Sequence, residues 1–223
     1  MVPKSKPQVK RSIHKTYTLD KRGNAHIKRK WILQNLTDGT LALPLFFVEE
    51  ETDQILNIKS EVKHEKVSKG AFTEITLEPK EKLGPREKYE FSIDYDYNNF
   101  SEKFGDTWIV TADFVKEEDK EIKFHDHDEY MVETRLPNLK RRWALWESFE
   151  VISDPTAEER KEEGATILSW QFVLRPEMKH HIKILYQIMK NQKIFAGVVS
   201  IITIVVREVL ARIVDIIFKM LLT

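Results

Sequence analysis

In the segment 87–97, Tyr89, Phe91, Ile93, Tyr95 and Tyr97 alternate with Lys88, Glu90, Ser92, Asp94 and Asp96. Successive side chains of an extended strand project to opposite faces, so this pattern dictates a strand with one apolar and one charged face. A helix would scatter the same residues around its circumference. The same period recurs along the chain. Ile27, Arg29, Trp31 and Leu33 oppose His26, Lys28, Lys30 and Ile32, and further runs fall at 43–50, 54–62, 71–77, 107–115, 122–133 and 166–174. Asp38-Gly39 and Lys69-Gly70 punctuate them with turn chemistry. After Arg175-Pro176-Glu177, Ile182, Ile184, Tyr186 and Ile188 alternate with His181, Lys183, Leu185 and Gln187, which predicts a closing strand. The stretch 154–164 (DPTAEERKEEG) has no apolar face and reads as a loop with a short helical turn. The expected fold is mainly β: an antiparallel β-sandwich over residues 1–190, followed by a different element over 191–223.

That second element begins where the alternation stops. Residues 194–206 contain only Ser200 and Thr203 as polar side chains, and charges then return at intervals up to Thr223. As a continuous helix, residues 194–222 would reach roughly 43 Å at ~1.5 Å per residue, more than the hydrocarbon thickness of a bilayer, which is about 30 Å. Glu208, Arg212, Asp215 and Lys219 are spaced i, i+4, i+7 and i+11 and share one side of such a helix, and Ser200, Thr203 and Arg207 extend the stripe. Glu208 precedes Arg212 and Asp215 precedes Lys219 by four residues, the favourable order for intrahelical pairing. The expectation is therefore an amphipathic or transmembrane helix. It can lie flat at the interface, join an oligomeric bundle with its charges turned inward, dock on its own sheet, or pack in a soluble helical oligomer.

Charge is distributed as unevenly as hydropathy. The whole chain balances 36 Lys and Arg against 36 Asp and Glu, yet residues 1–30 hold ten Lys or Arg against Asp20 alone, a formal +9. Such a block attracts phosphate, whether of lipid headgroups or of nucleic acid, unless it is only a solubilising face. Lys10, Arg11, Lys15, Lys21, Arg22, Lys28, Arg29 and Lys30 are the lipid-binding candidates, joined by Lys140, Arg141 and Arg142 beside Trp143 and Trp146. The indoles suit interfacial anchoring or stacking, or simply a core. No apolar run follows Met1, so a cytosolic start is expected.

Catalytic signatures are scarce. The absence of Cys removes disulfides, thiolate metal sites and a cysteine nucleophile, and no Walker loop, Gly-rich dinucleotide turn, GxSxG or HExxH occurs. His125 and His127 at i, i+2 within His125-Asp126-His127-Asp128-Glu129 are weak metal candidates that need a third ligand from elsewhere. His180-His181, at the expected hairpin before the tail, reads as a basic membrane-proximal surface or a pH-sensitive one. The chain is therefore expected to be neither an enzyme nor a cofactor binder, and to take no small-molecule substrate. A metal-assisted hydrolase around the two histidines is the enzymatic alternative.

A basic β-domain, the linker Lys190-Asn191-Gln192-Lys193, and the apolar segment 194–222 with its charge stripe together resemble small membrane effectors of prokaryotic antiviral defence. The arrangement is most similar to the membrane-acting accessory effector of archaeal short-Argonaute systems. The likeness is one of architecture along the whole chain, and no functional residue is carried over by motif. It implies recruitment by a nucleic-acid-sensing defence protein and depolarisation of the cell membrane. The function expected on the residues' own evidence agrees. The β-domain, on the cytoplasmic side, binds anionic lipid and a partner, while copies of the C-terminal helix oligomerise in the membrane as a pore. The alternative is a soluble β-sandwich adaptor for nucleic acid or protein with a helical oligomerisation tail.

Overall fold

The computed structural model describes residues 9–50, 54–70, 72–115, 128–137, 141–142, 145–162, 165–175 and 178–190. Every regular element among them is a strand. In chain order they are β1 (Val9–Leu19), β2 (Ala25–Asn35), β3 (Leu41–Ala42), β4 (Phe46–Glu50), β5 (Ile55–Ser60) and β6 (Lys63–Lys69). There follow β7 (Phe72–Glu78), β8 (Lys82–Leu83), β9 (Lys88–Tyr97), β10 (Glu102–Phe104), β11 (Thr107–Val115) and β12 (Asp128–Arg135). The last are β13 (Arg141–Arg142), β14 (Leu145–Asp154), β15 (Glu158–Glu162), β16 (Ala165–Leu174) and β17 (Lys179–Lys190).

The main sheet has seven strands in the order β15, β16, β12, β1, β2, β9, β5. A second sheet runs β10, β11, β17, β14, β13, a third β4, β7, β6, and β3 pairs with β8. The mainly β, sandwich-like expectation holds for the described residues. It needs two corrections. The β1 and β12 strands run parallel, with Ser12 opposite Glu129 through Thr18 opposite Arg135, so the main sheet is not wholly antiparallel. A parallel neighbour requires a crossover, and here everything from β2 to β11 lies between the two strands in sequence. The second correction is at 154–164, where Glu158–Glu162 is an edge strand paired with β16 rather than a helical turn. All five of its side chains are exposed, which is why no apolar period marks it.

The pleat sorts each central strand into two faces. On β1 and β2 the residues Val9, Ile13, Tyr17, Ile27, Trp31 and Leu33 are buried, and their neighbours face outward. Two layers cover this inner face. From the third sheet, Phe46 meets Trp31 and Phe91 edge-on at ring-centroid distances of 6.1 and 5.1 Å. From β11, Phe114 meets Tyr130 and Phe172 edge-on at 5.7 and 5.4 Å. The β1–β2 turn must pass close under Trp108. Gly23 lies there at φ 86°, where a Cβ would stand 2.4 Å from the indole ring.

The chain divides into two compact units, residues 1–138 with 151–186 and residues 139–150 with 187–223. In the second, the described pairing joins Arg141 to Trp146 and Arg142 to Leu145.

Inside the first unit lies an ion pair with almost no access to water. An Arg11 guanidinium nitrogen donates to Asp128 Oδ2 at 2.5 Å, and the side chains are 2% and 0% exposed. Each charge needs the other there, because an isolated buried ion is far costlier than a buried pair. Removing one partner by Asp128→Ala is expected to destabilise the chain by about 3–5 kcal/mol. Replacing both, Arg11→Met with Asp128→Leu, should cost much less; urea unfolding of the two variants beside the parent checks the order.

Candidate functional site

Ten cations crowd the first thirty residues, but the strands they fall on do not present them together. Alternation sends Arg11, Lys15 and Arg29 to the inner face and Lys10, Lys28 and Lys30 to the outer. Lys21 and Arg22 occupy the β1–β2 turn, where Asp20 accepts the backbone N–H groups of Arg22 and Asn24 at 2.7 and 2.9 Å.

The inward cations are held by aromatic rings and acids. Lys15 and Arg29 are directly opposed across β1 and β2. Lys15 Nζ reaches Glu50 Oε1 at 3.6 Å and sits 5.1 Å from the Tyr17 ring centre, while Arg29 lies over Trp31 at 4.6 Å. Tyr95 donates to the same Glu50 oxygen at 2.5 Å. Burial, reinforced by the Glu50 charge, pushes the Tyr95 phenol well above its usual range, so it remains a donor. For Lys15, burial opposes the charge, but Tyr17 and Glu50 raise the ammonium above its usual value and keep it protonated.

The outward cations face acids from neighbouring strands. Lys10 lies 2.7 Å from Glu129 on β12, which also accepts from Ser12 at 3.1 Å. From β9, Glu90 binds both Lys30 and Lys88, the latter at 2.9 Å. His26 approaches Asp96 at 2.7 Å and Asp94 at 3.5 Å. Lys28 is exposed in the same row. The formal +9 of the sequence thus becomes a mixed-charge surface. A groove of about 240 Å³ lies on it, lined by Lys10, His14, Gln34, Lys88, Glu129 and Met131 among others, with donors and acceptors suited to a polar partner.

Three other sets of expected site residues are placed less fully. The backbones of Arg141 and Arg142 form β13, and their side chains, with Lys140, lie outside the described residues. His125 and His127 also lie outside them, and among the described residues no His, Asp and Glu group could hold a metal. Ser200, Thr203, Arg207, Glu208, Arg212, Asp215 and Lys219 lie outside as well. Among the described residues no helix is long and apolar enough to cross a membrane. His181 meets Asp113 at 2.6 Å, and His180 stacks on Phe172 at 3.9 Å, where burial lowers its pKa.

Sequence reasoning missed the acids that answer the basic block. Their signal was present, since the polar face of 87–97 is acidic and that of 26–30 basic, and opposite charges on adjacent strands favour pairing.

No protein-family model matches the chain, and no curated protein does. Among solved structures it is similar to the M1 zinc metallopeptidase from Deinococcus radiodurans, at 7% identity and TM-score 0.37, covering 82% of this chain and 43% of that one. It is also similar to a putative nutrient binding protein from Legionella pneumophila, at 10% identity and TM-score 0.41, covering 80% of this chain and 67% of the other. The Fcho1 mu homology domain of Danio rerio gives 8% identity and TM-score 0.23, with 81% and 79% covered. The chain spans less than half the length of the metallopeptidase. Resemblances this distant carry no functional argument.

The outer-face clamp on Glu90 has a testable consequence. Hydrogen bonds from Lys30 and then Lys88 depress its carboxyl pKa to about 2. A depressed carboxylate contributes stability above its unfolded pKa, about 4.3, and that contribution is lost as pH falls through the folded value near 2. Carboxyl NMR titration should find Glu90 still ionised at about pH 3.5, between those two values, and Lys30→Ala with Lys88→Ala should return it toward the ordinary range.

Proposed function

We propose that this chain acts at a membrane, with the β-domain outside the bilayer and copies of residues 194–222 associating inside it as helices that make it leaky. The observation that carries this reading is the one-sided spacing of Arg207, Glu208, Arg212, Asp215 and Lys219 in an otherwise apolar segment. Magnitudes favour association over a lone span. Five charges facing lipid would cost roughly 12–17 kcal/mol on insertion scales, against roughly 5–11 kcal/mol gained from the eighteen Leu, Ile, Val and Phe of the segment. Turning the stripe inward, toward paired stripes of other copies or a wet lumen, removes most of that cost. Lys190 and Lys193 on the N-terminal flank favour a cytoplasmic β-domain. Anionic lipid would be attracted by Arg22 and Lys28, which are exposed, and by Lys21 and Lys140–Arg142. The resemblance to membrane effectors of antiviral defence suggests a nucleic-acid-sensing defence protein as the recruiting partner.

One observation favours the adaptor reading instead. On the outer face of the main sheet Lys10 and Lys30 are held by Glu129 and Glu90, which leaves Lys28 as the exposed cation of that row and a mixed-charge surface that suits a polar protein partner. Cell fractionation separates the two, since an adaptor stays soluble and a membrane effector pellets with membranes.

The leak itself is tested by expressing the chain with a potential-sensitive dye. Loss of potential is expected; a chain that is membrane-bound with unchanged potential contradicts it. Glu208→Lys with Asp215→Lys places like charges at i, i+4 and across the seam. About tenfold more protein should then be needed for the same loss of potential, equivalent to ~1.4 kcal/mol, while binding to anionic vesicles persists. Adding Arg212→Glu and Lys219→Glu should restore part of the activity.

A further inference from the structure

The third sheet ends in an edge strand with no partner strand on its outer side among the described residues. β6 pairs with β7 on one side, Lys63 opposite Glu78 through Lys69 opposite Phe72, and all seven of its side chains are exposed. We propose that β6 is where two copies of this chain pair, antiparallel, about a two-fold axis at Val67.

The register follows from symmetry and charge. A two-fold axis normal to the sheet sets residue i of one copy against residue j of the other, with both side chains on the same face, so i and j must have the same parity. Three such registers overlap most of the strand Lys63-His64-Glu65-Lys66-Val67-Ser68-Lys69. Centred on Glu65, two carboxylates face each other. Centred on Lys66, Lys66 faces itself and Lys63 faces Lys69. Centred on Val67, the valines meet, Glu65 faces Lys69 twice, and Lys66 faces Ser68 twice. Only the last brings opposite charges together with no like pair, and opposite charges directly across a ladder stabilise it whereas like charges do not.

The side-chain faces agree. Val67 is 38% exposed and shares the outer face with Phe72 and Phe47, 50% and 46% exposed, while Phe46, Val48, Ile75 and Leu77 fill the inner face. The other edges do not offer this. On β15, Glu-Glu-Arg-Lys-Glu, every two-fold register centred on Glu159, Arg160 or Lys161 sets a charge against itself. A bulge between Leu56 and Lys59, with Asn57 at φ 52°, breaks β5. A two-fold on β4 sets Phe46 against Glu50, which Lys15 and Tyr95 hold on the inner face, whereas on β6 Lys69, though 2.9 Å from Glu74 of β7, is 56% exposed and can face a second acid. β10 and β13 have three and two residues.

This interface is independent of the C-terminal segment, and cross-linking tells the two apart. The chain has no Cys, so a single Val67→Cys in the full-length protein is the only thiol. Opposed residues of an antiparallel pair have Cα atoms about 4.5–5.5 Å apart, inside the range of about 4.4–6.8 Å that a disulfide spans. Mild oxidation of Val67→Cys should give a covalent dimer. Glu65→Cys and Lys69→Cys should each stay monomeric, since Lys69 of the two copies would be about 14 Å apart at ~3.4 Å per residue, but a mixture of the two should cross-link. Glu65→Lys added to Val67→Cys should cause loss of the dimer band. Monomeric Val67→Cys overturns the proposal. So do equal cross-linking at 65, 67 and 69, which would signify unspecific encounter, and an adduct of the introduced thiol with a different protein.

Discussion

Charge buried between layers is the constraint on which this fold turns. Arg11 and Asp128 are almost sealed from water and belong to strands that run parallel at the centre of the main sheet. The pair therefore joins the two ends of a long crossover at a point where a mismatch leaves an unpaired ion in the interior. A few residues along β1, Lys15 and its opposite number Arg29 repeat the problem with two like charges. Glu50, donated by β4 from another sheet, together with the Tyr17 and Trp31 rings, resolves it. The third sheet is thereby tied to the first by an ionic contact as well as by the Trp31, Phe46 and Phe91 packing. Mutual dependence of this kind specifies one arrangement of layers more than it adds stability.

How much of this the sequence discloses depends on what each strand buries. Whereas β16 buries both Ile167 and Leu168 and alternates only from Ser169 onward, β9 separates apolar from polar residues by face and is legible as a strand from that alone. β1 is not, because its inner face carries Arg11 and Lys15, and a stretch with cations on both faces looks like a basic arm. β6 and β15 are hidden for the opposite reason, since edge strands with every side chain in water carry no hydrophobic period. Nor does alternation encode direction, which is why the parallel pairing of β1 with β12 could not be read. The basic block is visible as composition, but its neutralisation by Glu90, Asp94, Asp96 and Glu129 depends on which strands become neighbours, a long-range fact.

These features narrow where a membrane interaction can reside. A β-domain whose cations are divided between a covered face and an ion-paired one has limited electrostatic pull on a bilayer, and exposed ion pairs of this sort are screened further by salt. If the chain acts at a membrane as proposed, the driving force left is apolar area, which the sequence concentrates in residues 194–222 and which is realised only with the charge stripe turned away from lipid. On this account the domain presents and gathers the segment, and the segment engages the bilayer. Hydrogen–deuterium exchange of the full-length chain, with and without anionic vesicles, examines that division directly. The account predicts new protection across residues 194–222 with little change in β1, β2, β9 and β12. Protection gained in those strands while 194–222 exchanges as it does in buffer would contradict it.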